Sequence, residues 1–199
     1  MRQFWDERFH QDEYIYGTEP HPLFVQAIGQ LPKGKLLMAG DGEGRHAVYA
    51  SAKGHNVTIW DYSSVAKRKA IALARVKAVE INYELQDLTD CSIPEAQFNA
   101  VGMVYAHFPA EQQAATHKKL WRAIKRGGHL ILIGFGKEQI ELDSGGPKHI
   151  DMLYDPEELG THFAEAEMID HFNGRMKLDE GPYHQGEAHI VYMMLQKKM

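Results

Sequence analysis

The feature that most constrains this chain is an alternation of two hydrophobic periods along its 199 residues. Short apolar runs at 35–39 (KLLMA), 56–60 (NVTIW), 81–85 (INYEL), 98–104 (FNAVGMV) and 129–135 (HLILIGF) have strand character. Helix-like stretches at 44–53, 63–79 and 110–125 lie between them. Strand and helix in alternation make βαβ units, so the expected fold is an α/β, Rossmann-like sheet, mostly parallel, with helices on both faces. Ser63 or Ser64 is placed to cap the helix over 63–79, and Gly127-Gly128 to stop the one over 110–125. A short helix at 155–164 has Pro156 in its first turn. Strand-like runs near 167–177 and 187–197 then flank the turn DEGPY, which predicts an antiparallel C-terminal hairpin at the sheet edge.

The chain reads as one domain, with an N-terminal flap and helix over 1–34 and an α/β core over 35–199. The flap mixes aromatics with acids and is expected to cover a sheet edge, to form a lid, or both; the helix falls near 22–30. The single cysteine, Cys91, allows no intrachain disulfide, and no apolar run approaches the roughly 18 residues of a membrane span. The start is charged rather than signal-like. A cytoplasmic protein is therefore expected. The net charge of −5 argues against a broad nucleic-acid surface. The 12 histidines show no zinc-binding spacing, so no metal is expected.

Within this framework the segment 35–46, KLLMAGDGEGRH, runs from the first strand through a glycine turn into a helix. Gly40, Gly42 and Gly44 remove side chains where a backbone must turn sharply and approach a ligand. The second strand ends in Asp61, 17 residues after Gly44, placed to accept both hydroxyls of a ribose. A dinucleotide fingerprint needs a small residue at the sixth position of its turn, and here that position is Arg45. The spacing thus favours S-adenosylmethionine (SAM) over a nicotinamide or flavin dinucleotide. Asp87 and Leu88, after the third strand, are placed to meet the adenine amine and ring.

The segments WDERF…YIYGTEPHP, GDGEGRHAVYASAKGHNVTIWDYS, FNAVGMVYAHFP, HKKLWRAIKRGGHLIL, DSGGP…LYDPEEL and EGPYHQGEAHIV carry a family resemblance over nearly the whole chain. It resembles the class I SAM-dependent methyltransferases, in particular the small bacterial group near the tellurite-resistance and thiopurine methyltransferases. The resemblance implies a seven-stranded fold, SAM as cofactor and S-adenosylhomocysteine (SAH) as product. By position it implies cofactor contacts from Gly40, Asp41, Gly42, Gly44, Asp61, Tyr62, Asp87, Leu88 and Ala106, with Tyr16 and Gly17 closing over them. Relatives usually carry an acid where this chain has Met38, one that helps hold the ammonium of SAM. Asp41, three residues later, is expected to supply the missing charge.

Methyl transfer from a sulfonium needs alignment and exclusion of water, and a general base only where the nucleophile must lose a proton. His107, after the fourth strand, and Tyr183 and His184, in the tail turn, are the candidate catalytic residues. Arg45 is expected either to meet an acceptor carboxylate or to pair with Glu43 at the surface. The long loop 136–154 is expected to border the acceptor site. No [DN]PP[YF] segment or Pro-Cys nucleophile is present, so a small-molecule acceptor is expected rather than nucleic acid. A non-catalytic or regulatory SAM-binding module is the alternative, and a nucleotide-linked oxidoreductase a third reading that Arg45 opposes.

Overall fold

The computed structural model describes residues 2–163 and 165–199. Two helices, α1 (Arg2–Phe9) and α2 (Pro22–Gln30), precede the first strand, β1 (Lys35–Ala39). The chain continues through α3 (Arg45–Ala52), β2 (Asn56–Asp61), α4 (Ser64–Val76), β3 (Asn82–Leu85), β4 (Phe98–Val104), α5 (Ala110–Ala123) and β5 (Ile124–Phe135). Two short 3₁₀ turns, Lys137–Glu141 and Ile150–Met152, lead to α6 (Pro156–His162), β6 (Ala166–Asp179) and β7 (Gln185–Lys197).

The strands form one seven-stranded sheet in the order β3-β2-β1-β4-β5-β7-β6. The first five are parallel, whereas β7 runs antiparallel to both β5 and β6. Helices cover both faces, as the alternation along β1 requires. Leu36 and Met38 face the cluster that holds Phe24 and Ile28 of α2 and Ala47 of α3. Leu37 and Ala39 face the opposite one, with Leu120 of α5 and Leu159 of α6. A sheet apolar on both sides has to be roofed twice, which is what a buried parallel sheet means energetically.

The strand order reverses between β1 and β4, so the crevice beyond their carboxyl ends is where this topology opens for a ligand. Because β7 is antiparallel, its start lies at that same end. Phe135, the last residue of β5, pairs with Ile190, and the hairpin extends past it to a tip at residues 180–184. The tail hairpin therefore overhangs the crevice.

Ser63 caps α4 through its Oγ, which accepts from the Ala66 N–H at 3.1 Å, and Asp155 caps α6 ahead of Pro156. Two expectations need adjustment. Helix α5 ends at Ala123, before the Gly127-Gly128 stop, because Ile124 already pairs with Phe98. The glycines instead lie in an irregularity of β5, where Gly127 takes a positive φ of 73°. The helix expected over 155–164 closes at His162, and Ala164, like Met1 of the flap, lies outside the described residues.

Candidate functional site

The glycine turn is a run of alternate left-handed residues: Gly40, Gly42 and Gly44 have φ of 71°, 51° and 83°. A side chain there is strained by conformation alone. Space forbids it as well. A Cβ on Gly44 would stand 2.7 Å from that of Ala70 in α4, and one on Gly42 would stand 2.9 Å from the Phe9 ring. At Gly40 the neighbours are the Ala106 methyl and Leu88, at 3.2 and 3.8 Å from that position. The turn thus brings Gly40, Leu88 and Ala106 together from the tips of three strands.

Asp61 ties the tip of β2 to this turn. Its Oδ2 accepts from the Gly42 N–H at 3.1 Å and its Oδ1 from the Ser63 N–H at 2.8 Å. Burial raises its pKa from 3.8 to about 6, despite these two bonds, which favour the charged form. Asp87 is exposed and folds back on Thr89, whose N–H and hydroxyl both reach its Oδ1; these bonds to the hydroxyl above all hold its pKa below the usual range. Tyr62 follows Asp61 half-buried, its phenol pushed up chiefly by burial.

Asp41 turns toward α3. Its Oδ1 takes the Nδ1 proton of His46 at 2.6 Å and its Oδ2 the Ala47 N–H at 2.9 Å. Each oxygen thus accepts one bond from the first turn of α3, which directs the carboxylate toward that helix. Met38 itself is fully buried, with its sulfur packed against Gly102. Arg45 also departs from the expectation of a surface pair with Glu43. It is only 5% exposed and donates to Glu180 Oε2 at 2.9 Å and to the Tyr16 carbonyl at 2.8 Å. Glu43 turns the other way, accepting from the Ile15 N–H at 3.0 Å and pairing with Lys69.

The N-terminal segment lies over this end of the sheet. In α1, Asp6 accepts from the Ser63 hydroxyl and Phe9 rests on Gly42. Further on, the Tyr16–Gly17 backbone abuts Gly181, and the Tyr183 N–H reaches the Ile15 carbonyl at 3.3 Å. Strap and hairpin tip are thus joined through their backbones above the crevice.

His184 is buried beneath that junction. Its ring lies 4.4 Å from that of Tyr16, 4.5 Å from Tyr105 and 5.2 Å from Phe135. Its Nδ1 meets Glu180 Oε2 at 3.2 Å. Burial lowers its pKa, against the pull of Glu180, so the imidazole is neutral near pH 7. Tyr183 points outward, 38% exposed, with its hydroxyl on Gln11 and its ring under the Arg8 guanidinium. The structure separates these two neighbours, leaving only His184 within the enclosure. The loop 136–154 reaches it from the far side: Gly145 packs on His184, and Gln139 secures the loop through Ser144, the Gly145 carbonyl and the His189 N–H.

His107 is held through both ring nitrogens. Its Nδ1 donates to the Met152 carbonyl at 2.8 Å, and its Nε2 accepts from the Phe135 N–H at 3.1 Å. Neither nitrogen is free, and burial pushes its pKa down to about 4. It joins the end of β5 to the loop. His107→Gln is expected to lower stability by about 1–3 kcal/mol while leaving the pH dependence of turnover unchanged, which thermal melts and a pH profile will check.

Sequence reasoning missed Glu180, His21 and Tyr105. Glu180 sits in the hairpin turn, and burial, which alone would raise its pKa, is outweighed by the His184 hydrogen bond and the Arg45 charge, so it is held well below the usual carboxylate range. Nothing local in EGPYHQG distinguishes this acid from a surface turn residue; the signal was the buried arginine 135 positions earlier. Among the described residues, no group of three or more His, Cys, Asp or Glu has the arrangement to hold a metal ion, and no helix is long and apolar enough to cross a membrane.

Comparison with known proteins bears on what this site holds. Residues 36–128 match a family described as methyltransferase domain. No curated protein sequence matches the chain. Several solved structures share its fold. One, from work on the conversion of a disulfide bond into a thioacetal group during echinomycin biosynthesis, is 18% identical with a TM-score of 0.81, over 100% of this chain and 92% of that one. TehB from Haemophilus influenzae is 17% identical with a TM-score of 0.75, over 99% and 67% of the two chains. The N-methyltransferase NodS from Bradyrhizobium japonicum WM9, solved with SAH, is 13% identical with a TM-score of 0.76, over 100% and 98%. The sheet is that of the Rossmann-like methyltransferases. The matched domain supports a transferase enzyme.

Proposed function

We propose that this chain is a single-domain methyltransferase acting on a small nucleophile, with a sulfur or other soft atom as the leading acceptor. The observation that carries the reading is the enclosure around His184, walled by Tyr16, Tyr105 and Phe135 under the joined strap and hairpin. Rings packed this closely on His184 close that end of the sheet, so a small acceptor can reach it once the strap opens, whereas a nucleic acid or folded protein needs an open groove. The neighbour from echinomycin biosynthesis, concerned with a disulfide and a thioacetal, supports chemistry at sulfur.

The residues present suit SAM. Gly40 offers bare backbone between the Leu88 side chain and the Ala106 methyl, an apolar cradle for the adenosyl group, Asp61 is the carboxylate for the ribose hydroxyls, and Asp87 keeps one oxygen for the adenine amine. Bound there, SAM supplies an activated methyl on a sulfonium. The protein's part is to position the acceptor, exclude water through the aromatic walls and remove a proton where one must leave. His184 is placed for the last task. With its Nδ1 proton directed to Glu180, the lone pair lies on Nε2, which makes no hydrogen bond among the described residues. Tyr16 and the rest of the strap act as the lid, and α1 must lift from Gly42 to admit the cofactor.

A screen of methyl transfer to thiols and chalcogen oxyanions tests the reading. Turnover of a neutral thiol is expected to fall about a hundredfold in His184→Gln, within the range of general-base loss, and to fall in the native protein as the pH drops through the depressed His184 pKa. No methyl transfer to any soft nucleophile, with SAM bound, would favour the non-catalytic SAM-binding module.

A further inference from the structure

At the end of β1, where an ammonium would look for an acceptor, this chain offers none. Met38 is a buried thioether, and both oxygens of Asp41 are taken by His46 and Ala47. Four polar atoms are buried close together without a well-formed hydrogen bond: Glu180 Oε1, His21 Nε2, His46 Nε2 and the Tyr105 hydroxyl, the last lying close enough to the Glu180 carboxylate that this charge adds to burial in raising its pKa. His21 Nδ1 accepts from the Leu23 N–H, so its proton sits on Nε2. That N–H stands 4.0 Å from Glu180 Oε1, too far to bond, and the His21 and Tyr105 rings lie 5.8 Å apart. Tyr105 adjoins Ala106 at the tip of β4, and Arg45, which holds the other oxygen of Glu180, directly follows Gly44.

The set therefore borders the glycine turn and presents one free anionic acceptor beside two free donors. Buried polar atoms are nearly always satisfied, so four orphans in one place mark a missing partner. A simple anion would be repelled by Glu180. A simple cation would meet Arg45 and two hydrogen-bond donors. An α-amino-acid group, with ammonium and carboxylate side by side, matches both signs at once.

We propose that Glu180, from the tail hairpin, takes the place of the acid absent from β1 and anchors the ammonium of the SAM methionine end, with Tyr105 and His21 donating to its carboxylate. This rests on the SAM reading above. It makes Glu180 a positioning residue shared by cofactor and His184, and it explains how Met38 is tolerated.

The test is calorimetric titration of the full chain with SAH and with 5′-methylthioadenosine, which keeps the adenosyl sulfur but lacks the amino-acid end. Glu180→Gln is expected to weaken SAH tenfold to a hundredfold and leave 5′-methylthioadenosine within twofold of the native protein. Tyr105→Phe removes a hydroxyl that makes no well-formed hydrogen bond and lies near the Glu180 carboxylate, so it is expected to weaken SAH severalfold with a drop in melting temperature below about 4 °C. The ratio of the two ligands' affinities guards against a general folding defect in Glu180→Gln. If SAH binding is unchanged in both variants, or both ligands weaken equally, the inference is overturned while the cofactor reading stands. If the native protein binds neither ligand, the cofactor reading fails and the inference with it.

Discussion

Arg45→Met is expected to destabilise the protein by about 3–5 kcal/mol. The side chain is buried, and its guanidinium bonds Glu180 and the Tyr16 and Glu19 carbonyls, so it joins α3, the strap and the hairpin turn. Methionine fills much of the space but leaves Glu180 buried beside orphaned carbonyls. In a chain of this size the melting temperature is expected to fall by roughly 10 °C. The double variant Arg45→Met, Glu180→Gln should recover part of the loss, because the uncompensated charge is gone. The pH dependence gives a separate check. In the native protein the folded Glu180 pKa is depressed, so its contribution is present above the unfolded value of 4.5 and is lost as pH falls. Without Arg45 that pKa rises, so the gap between variant and native protein is expected to narrow on acidification. A gap that is constant with pH, or a loss below about 1 kcal/mol, would mean the pair holds nothing together.

Asp61→Asn is expected to weaken SAH binding by about a hundredfold. The exchange keeps size but removes the charge that two ribose hydroxyls would share and sets an amide donor against the Gly42 or Ser63 N–H; charge-assisted hydrogen bonds contribute about 1.5–3 kcal/mol. The raised pKa adds a pH signature. A carboxyl with a folded pKa of about 6 favours the unliganded fold most below its unfolded value of 3.8, and that contribution is lost as pH rises through 6. A ligand that bonds the carboxylate reverses the sense, so SAH affinity in the native protein should fall as pH drops through 6. The asparagine variant should be flat over that window. Equal affinity in the two proteins at pH 7.5, measured by titration, would remove Asp61 from the ribose site.

The sheet was legible because period and length agree: KLLMA and FNAVGMV match β1 and β4 residue for residue. The hairpin was legible from two apolar runs about one turn. Helix α1 was not, since RQFWDERF has no cap and little apolar periodicity, and it is held by Phe9 on Gly42 and Asp6 on Ser63, contacts far apart in sequence. The shape of the glycine turn and the place of Asp61 at the tip of β2 were readable because they obey local rules of backbone shape and strand ends. The partners of Asp41, Arg45 and His107 were not. Asp41 turns to His46 within one helical turn, while Arg45 and His107 find Glu180 and Phe135 only once the sheet brings the tips of β4, β5 and the hairpin together. An arginine within a glycine turn looks like a surface residue until a buried acid is known to face it.

The measurement that tests the central claim most directly is calorimetric titration of the native protein with SAM, SAH and NAD. The account predicts micromolar binding of both adenosyl ligands and none of NAD, because the proposed site takes one nucleoside with an amino-acid tail. Binding of NAD, or of neither adenosyl ligand, would contradict it.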